Sequence, residues 1–141
     1  MIALLPLAGS LKRHVVCFVG KMVRDLIVKM LKIIACLVVL GLIIVSVVPA
    51  AERPETGLQH DLEHFLAFGC AGLIVALAYP HRLLLMVSAA VAYTLALEII
   101  QIPLATRHAR IEDFAVDALS ASAAIFLVYF VQVSLRRKQL A

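Results

Sequence analysis

Charged side chains are scarce in this chain of 141 residues. They make up 16% of the sequence, whereas about 25% is usual in soluble domains. Apolar residues make up 64%, against roughly 45–50% in an average globular protein. A domain of this size has a large surface for its volume, and so few polar side chains cannot cover it. The composition argues against a soluble monomer, and its high hydrophobicity argues against a disordered chain.

The sequence also lacks the short motifs that mark several common activities. It has no Gly-rich phosphate loop, no GxSxG sequence, no repeat at solenoid period and no low-complexity tract. These absences remove the usual sequence signs of nucleotide binding and of serine hydrolases. Cysteine is limited to Cys17, Cys36 and Cys70, with no CxxC pair. Because the count is odd and two of them lie in apolar runs, we predict buried thiols without a disulfide or metal role.

Four apolar segments are long enough to cross a bilayer, whose core takes about 20 helical residues. They cover residues 33–51, about 61–80, 83–102 and 111–135. The second segment reaches spanning length only if its helix begins near Asp61, and Glu98 and Asp117 lie inside the third and fourth segments. All five prolines fall outside the helix interiors, as expected from the missing N–H of proline. The sequence predicts an all-α membrane protein, a bundle of four transmembrane helices.

The distribution of lysine and arginine predicts the orientation of these helices. Four spans place both termini and the loop that contains Arg82 on one side, and ten of the 13 basic residues lie there. Arg53, Arg107 and Arg110 lie on the other side, which we call the outer side. Because segments rich in lysine and arginine stay in the cytoplasm, we predict that both termini are cytoplasmic.

Residues 1–32 differ in character from the span that follows. Five basic residues and Asp25 fall largely along one helical face of residues 11–32, and apolar residues fill the rest. This pattern is typical of a basic amphipathic helix that lies on anionic lipid. We therefore divide the chain into an interfacial segment, residues 1–32, and a transmembrane domain, residues 33–141. A cleaved signal peptide is not expected, since the apolar residues 1–10 have no cationic region before them. Translation from Met22 is an alternative.

Polar residues gather on the outer side in three separate stretches of chain. Eight of the nine acidic residues and three of the five histidines fall there. Residues three or four positions apart share a helical face. The pairs at this spacing are His60 with His64, Asp61 with His64, Glu98 with Gln101, and Asp113 with Asp117. A carboxylate that faced lipid at the depth of Glu98 would cost on the order of a few kcal/mol, so we expect these side chains to face the bundle interior.

We predict that these stretches form one ligand-binding site on the outer side. Its members are Asp61, His64, Glu98, Gln101, Arg107, Arg110, Asp113 and Asp117. We expect Arg107 to turn back into the bundle and bridge Glu98 or Asp113, because a guanidinium can donate two hydrogen bonds to one carboxylate. An alternative is that the polar residues only fasten three helix ends together. A histidine, several carboxylates and two arginines are more than such fastening requires, which favours a pocket.

Three motifs of this region occur in a fixed order and on one predicted membrane side. They are His64-Phe65 at the start of a span, Glu98-x-x-Gln101 at the end of the next, and Arg107 followed by Asp113 and Asp117. With these motifs, residues 54–127 resemble the VanZ-like family of small bacterial membrane proteins. The family is named for a member associated with resistance to the glycopeptide teicoplanin. The resemblance implies a multi-pass cell-envelope protein of the bacterial plasma (inner) membrane, and it does not imply that this chain confers resistance.

The chain departs from the pattern of that family at three places. His60-Asp61 stands where members often carry Asp-Lys, Thr106 where they often carry Gly, and Asp117 where they often carry Asn. The first departure puts a role for lysine in the pocket in doubt. The last departure adds a negative charge.

Three functions are compatible with the cluster. The leading hypothesis is the binding of an amphiphilic, lipid-linked or lipopeptide ligand at the outer leaflet, with a link to glycopeptide or lipopeptide tolerance, in which Arg107 and Arg110 grip phosphate or carboxylate. An alternative is a membrane-embedded hydrolase or transferase that acts on a lipid-linked substrate, with His64, Glu98 and Asp113 as catalytic residues. A second alternative is a proton-coupled transporter, which the absence of an obvious repeat disfavours.

Membrane lipids are the partners expected for such a protein, and homo-oligomerisation stays open. Nucleic acid is not an expected partner, since a transmembrane span directly follows the basic helix. We predict no cofactor and no metal, and a site of His64 with two carboxylates is the metal alternative.

Overall fold

The computed structural model of the protein describes residues 5–48, 59–80, 82–103 and 110–140, with side chains described from residue 16 to residue 139 of these ranges. The described residues contain four α-helices. The helices are α1 (Leu5–Val47), α2 (His60–Ala78), α3 (Leu83–Gln101) and α4 (Ile111–Leu140), and no strand occurs in these ranges. By length and composition, all four are long and apolar enough to cross a membrane. The predicted all-α fold with four candidate spans is confirmed.

α1 is a single helix of 43 residues that continues through the predicted domain boundary at residue 32. At 1.5 Å per residue it is about 64 Å long, roughly twice the thickness of a bilayer core. Its membrane-spanning candidate covers Val16–Val47, so part of the basic segment lies on the same helix as the span. The structure thus contains helix where the interfacial segment was predicted. Its position on a lipid surface and the division at residue 32 stay predictions.

The other helices begin and end close to the predicted positions. α2 begins at His60, which gives it 19 residues. Pro80 follows α2 and Pro103 follows α3, since a proline cannot continue helical hydrogen bonding. Acidic residues occupy the first turns of α2 and α4, where the positive end of the helix dipole favours them. We call the end of the bundle where α2 and α4 begin and α3 ends the polar end.

The closest contact between helices is that of α2 with α4, which run in the same direction. A Cβ atom added to Gly72 of α2 would lie 2.5 Å from the carbonyl oxygen of Ala121 in α4. Small residues allow membrane helices to approach this closely, because the backbones can then come into contact. α3 packs mainly on α4, and α1 packs on α2 and less extensively on α3. The α2–α4 contact therefore fixes the relative height of the side chains on these two helices.

Two small apolar cores lie between the helices. One consists of Phe68, Leu97 and Ala121, and the other of Ala76, Ile125 and Val128. Many large apolar side chains are exposed instead, as expected for a surface that meets lipid. Cys17, Cys36 and Cys70 are free thiols, and all three are exposed, so their predicted burial is wrong. In a membrane helix, apolar neighbours do not indicate burial, because the lipid-facing side is as apolar as the core.

Candidate functional site

Buried polar side chains gather at the polar end, where α2, α3 and α4 meet. Those with almost no exposed surface are Thr94, Glu98, Gln101, Asp113, Asp117 and Ser120. His60 and His64 of α2 lie against two of them. We call these eight residues the polar cluster. Six of its eight residues are buried inside the bundle while apolar side chains cover much of the outside, which is the arrangement that a lipid surrounding favours.

Two histidines of α2 pair with two aspartates of α4. His64 Nδ1 lies 3.0 Å from Asp117 Oδ1, and His60 Nε2 lies 3.3 Å from Asp113 Oδ2. Each pair joins residues 53 positions apart. Because α2 and α4 run in the same direction, a step of four residues advances both by about 6 Å. The i,i+4 spacing on both helices therefore produces two pairs at matching heights, with the imidazole centroids 4.5 Å apart.

α3 contributes Glu98, whose residue surface is only 8% exposed. Its Oε2 accepts a hydrogen bond of 3.2 Å from the backbone N–H of Arg110. Arg110 immediately precedes α4, where backbone N–H groups have no partner within the helix. Glu98 thus connects the end of α3 to the start of α4. Gln101 is buried one turn further on, and its side chain has no hydrogen-bond partner among the residues described.

Two hydroxyl groups and one aromatic ring form the inner boundary of the cluster. Thr94 Oγ1 donates a hydrogen bond to the Val91 carbonyl, and Ser120 Oγ donates one to the Asp117 carbonyl. Each hydroxyl is thereby satisfied by its own helix. The ring of Phe68 stacks on that of His64 with centroids 6.0 Å apart, and Phe68 belongs to the apolar core. The polar cluster passes directly into apolar packing at this level.

The predicted arginine contacts have different outcomes. Arg107 lies outside the described residues, so its bridge to Glu98 or Asp113 stays a prediction. The guanidinium of Arg110 pairs with Glu112 at the exposed surface, and only the backbone of Arg110 reaches into the cluster. Across the described ranges, no lysine or arginine side chain pairs with a carboxylate of the polar cluster.

The histidines of α2 differ from the prediction in which of them join the site and which carboxylates they contact. Asp61, a predicted site residue, is exposed. His60 was omitted from the predicted site, but its ring faces Asp113. The i,i+4 spacing of His60 and His64 was the sequence feature that could have identified it. The acid–base hypothesis grouped His64 with Glu98 and Asp113, whereas the carboxylate that lies against His64 is that of Asp117. Which aspartate lies opposite each histidine depends on the position of α2 along α4. The residue spacing within one helix does not give this position.

An apolar cavity of about 310 Å³ adjoins the polar cluster toward the middle of the bundle. Side chains from all four helices line it, including Val39, Phe68, Met86, Thr94 and Ile125. Phe68 and Thr94 are at once walls of the cavity and the inner boundary of the cluster. The cavity therefore places apolar space and buried polar groups within one bundle.

A smaller cavity of about 100 Å³ lies between α1 and α2. It shares the walls Leu42 and Phe68 with the larger cavity. Its other lining residues include His64, Glu63 and Ser46. The two cavities together extend from the apolar middle of the bundle to the polar end.

Three donors in the cluster are of the types that hold metal ions. One ring nitrogen each of His60 and His64 and one carboxylate oxygen of Asp113 lie within 4.8 Å of one another. No metal is predicted from the sequence, and the metal alternative there combines His64 with two carboxylates. The structure instead brings two imidazoles and one carboxylate together, because the two histidines stand one turn apart on α2.

Comparison with protein-family models, with curated proteins and with solved structures gives no match for this chain. The resemblance to the VanZ-like family therefore rests on the motifs of the sequence and stays a prediction.

Proposed function

We propose that this chain is a multi-pass protein of the bacterial plasma (inner) membrane that binds an amphiphilic or lipid-linked ligand. The acyl chain of the ligand occupies the apolar cavity, and its headgroup meets the polar cluster. The observation that carries the proposal is the shared wall, since Phe68 and Thr94 border both the cavity and the cluster. A ligand with one apolar and one polar part matches this change of surroundings.

The size and lining of the cavity support an acyl chain as occupant. Its volume of about 310 Å³ is at the lower end of the roughly 300–1,000 Å³ typical of ligand sites. Its walls include Val39, Leu42, Val75 and Ile125, none of which has a polar side chain. A cavity lined largely by apolar side chains disfavours water and suits an acyl chain.

The described cluster favours a headgroup that donates hydrogen bonds. Glu98, Asp113 and Asp117 offer acceptor oxygens when ionised, and an ammonium group or sugar hydroxyls complement them. A phosphate would meet these carboxylates with like charge. The phosphate-gripping hypothesis depends on Arg107, outside the described residues, and on Arg110, whose guanidinium lies at the surface. We therefore propose an amine-bearing or glycan-bearing lipid.

A cavity-filling substitution tests the amphiphile proposal. Ala90 is half-buried and lines the cavity, so Ala90→Phe should fill it and weaken binding of a fluorescent lysophosphatidylethanolamine by more than about tenfold. Ala92→Phe, on the exposed side of the same helix, is the matched control and should bind like the unmodified protein. Fluorescence titration in detergent measures both. Equal affinity of the two variants would contradict the proposal.

A second comparison tests the headgroup assignment. The amine-bearing lysolipid should bind more tightly than fluorescent lysophosphatidic acid with the same acyl chain. The preference should shrink in Asp113→Asn, because this variant removes a buried carboxylate. Tighter binding of the bare phosphate would overturn the headgroup assignment while leaving the cavity as the acyl site.

The proposed orientation places the polar end at the outer leaflet and both termini in the cytoplasm. Its support is the excess of lysine and arginine near the termini. In a chain whose three native cysteines are replaced by serine, a new cysteine at exposed Gln59 should react with a membrane-impermeant maleimide on intact cells. A cysteine at exposed Gln139 should react only after lysis. The reverse labelling pattern would invert the proposed topology.

The family resemblance supports a role in the cell envelope, and we include tolerance of glycopeptides or lipopeptides in the proposal. Expression of the chain in a sensitive bacterium should raise the inhibitory concentration of teicoplanin or of a lipopeptide. Ala90→Phe should abolish this effect and Ala92→Phe should retain it. A rise that persists with Ala90→Phe would separate tolerance from the cavity.

The pairing of His64 with Asp117 favours a second candidate function, a membrane-embedded hydrolase or transferase. A carboxylate that holds one imidazole nitrogen orients the ring for proton transfer at the other. Incubation of the purified protein with phosphatidylethanolamine vesicles, followed by mass spectrometry, should then give products that His64→Ala does not form. The absence of products from the unmodified protein would count against catalysis on this lipid.

A further inference from the structure

We infer that the polar cluster is a binding site for a divalent transition-metal ion of the Zn²⁺ type, with His60, His64 and Asp113 as its protein ligands. This inference does not rest on the proposed amphiphile. It joins three independent features of the polar end, which are the geometry of the three donors, the charge of the buried carboxylates and the support of His64 by Asp117.

The geometry of the donors suits tetrahedral coordination. Zn²⁺ binds nitrogen and oxygen at about 2.0–2.1 Å, so two ligand atoms of one tetrahedron lie about 3.3–3.4 Å apart. His60 Nε2 and Asp113 Oδ2 are separated by 3.3 Å. This distance is long for an N–H···O hydrogen bond and fits one edge of such a tetrahedron. The donor atoms of all three residues lie within 4.8 Å of one another, which places them around one common position.

The types of donor select the metal. Two imidazoles and one carboxylate suit Zn²⁺ and its transition-metal neighbours, whereas Mg²⁺ and Ca²⁺ prefer oxygen ligands throughout. His60 and His64 are one turn apart on α2, and two histidines at i,i+4 on one helix are a recurrent way to present two zinc ligands. Three protein ligands leave a fourth position for water or another small ligand, as in open zinc sites.

Within the described ranges, no lysine or arginine side chain offsets the charge of the buried carboxylates in the cluster. Glu98, Asp113 and Asp117 are each more than nine-tenths buried. Within residues 16–48, 59–80, 82–103 and 110–139, the side chains paired with them are the two histidines and no lysine or arginine. Buried charges in proteins are generally paired or coordinate metals. A divalent ion between the histidines and Asp113 would offset this negative charge at the point where it accumulates.

Asp117 supplies the support that a metal-bound histidine usually has. Its carboxylate lies 3.0 Å from His64 Nδ1, and a carboxylate behind a ligating histidine fixes the orientation of the ring. Asp117 is itself held in α4, one turn below the proposed ligand Asp113. The residue is therefore a positioning residue for the metal rather than a ligand.

Binding of the metal alone tests the inference. The full chain, purified in detergent and stripped with a chelator, should bind one Zn²⁺ per chain in isothermal titration. Co²⁺ in place of Zn²⁺ should give the intense visible absorption of a four-coordinate site, and X-ray absorption should report two imidazoles. Failure to bind either ion would overturn the inference, as would an absorption spectrum typical of six-coordinate Co²⁺.

Ligand variants and a matched control locate the site. His60→Ala and Asp113→Asn should each weaken Zn²⁺ binding by more than about 100-fold, and Asp117→Asn by about 10–100-fold, the usual loss for a supporting carboxylate. Glu112→Gln removes an exposed carboxylate in the same turn of α4 as Asp113 and should leave the affinity unchanged. Unaltered binding in His60→Ala, or an equal loss in Glu112→Gln, would contradict the assignment.

Two further measurements distinguish loss of metal binding from loss of folding and from loss of lipid binding. His60 is the most exposed ligand, with 47% of its side chain accessible, so His60→Ala should still fold and elute like the unmodified protein while losing the Co²⁺ absorption. Ala90→Phe, which fills the cavity, should bind Zn²⁺ normally. Loss of lipid binding with intact metal binding would therefore contradict neither proposal, whereas loss of the Co²⁺ spectrum only in variants that fail to fold would identify the cluster as a purely structural fastening.

Discussion

Both ends of the bundle carry many charged residues, but among the residues that the structure describes the buried ones lie at the polar end. Glu98, Asp113 and Asp117 are enclosed by helices. At the opposite end, Arg24 and Arg136 are exposed and border an open cleft of about 740 Å³. Exposed charges are solvated and can be exchanged at little cost. The formal net charge of +4 therefore conceals one end with buried acidic side chains and one end with exposed basic side chains.

The contrast also concerns how the charged side chains are fixed. At the polar end, histidines and aspartates face each other across α2 and α4 at 3.0 and 3.3 Å. At the basic end, Lys32 Nζ lies 5.3 Å from the centroid of the Tyr79 ring, a loose cation–π contact. Substitutions should therefore have large effects at the first end and small effects at the second.

The largest effect is expected where a buried partner is removed. His64→Ala should lower the free energy of unfolding in detergent by about 3 kcal/mol, because it leaves the carboxylate of Asp117 buried without its imidazole. The combination with Asp117→Ala should be more stable than the sum of the two single effects predicts. Denaturant titration of the four proteins measures this coupling, and strict additivity would show that the pair makes no energetic contribution.

The next effect concerns the contact that aligns the histidines with the aspartates. Gly72→Ala should destabilise the bundle by about 2 kcal/mol, because the added methyl group meets backbone atoms of Ala121 that cannot move aside. Gly69→Ala, on the same helix with nothing within 4 Å of the added atom, should be neutral or slightly stabilising. Thermal unfolding of both variants is the measurement. Similar melting temperatures for the pair would disprove the close α2–α4 contact.

A smaller effect is expected between α3 and α1. The Tyr93 hydroxyl donates a hydrogen bond of 2.6 Å to the Val39 carbonyl. Tyr93→Phe removes only this bond and should cost about 0.6 kcal/mol, the average for hydrogen bonds between membrane helices. Unfolding in detergent would detect it. A loss several times larger would mean that α1 is held to the bundle more firmly than its packing on α2 and α3 suggests.

The smallest effect is expected at the basic end. Lys29→Ala removes an exposed charge and should change the stability by less than about 0.5 kcal/mol. Under the predicted orientation, reversal of topology should require the loss of several lysines and arginines near α1. A destabilisation by Lys29→Ala as large as that by His64→Ala would remove the distinction between the two ends.

Much of the fold could be predicted from local patterns. The start of α2 near Asp61 followed from the length that a span requires, and the prolines after α2 and α3 marked their ends. Each helical face of the site could be predicted as well, because i,i+3 and i,i+4 spacings are properties of one helix. The prediction failed for the exposure of Cys36 and Cys70, since an apolar run does not distinguish a lipid-facing side from a core-facing side.

The pairing within the site could not be predicted from these faces. His64 faces Asp117 rather than Glu98, and His60 joins the cluster, because Gly72 lets α2 approach the backbone of α4. The backbone of Arg110, rather than its charged group, reaches Glu98. These contacts depend on interhelical distance and height, which arise from packing along the whole bundle.

By itself the sequence determined that this chain forms four apolar helices with an acidic, histidine-containing end and a basic end. Hydrophobic length and helical periodicity suffice for that, because each is a property of residues close in the chain. Only the tertiary structure decided which carboxylate meets which imidazole, and that a cavity adjoins them. The pairing requires atoms of His64 and Asp117, 53 positions apart in the chain, to lie 3.0 Å from each other. The close contact of the parallel helices α2 and α4 at Gly72 brings them together.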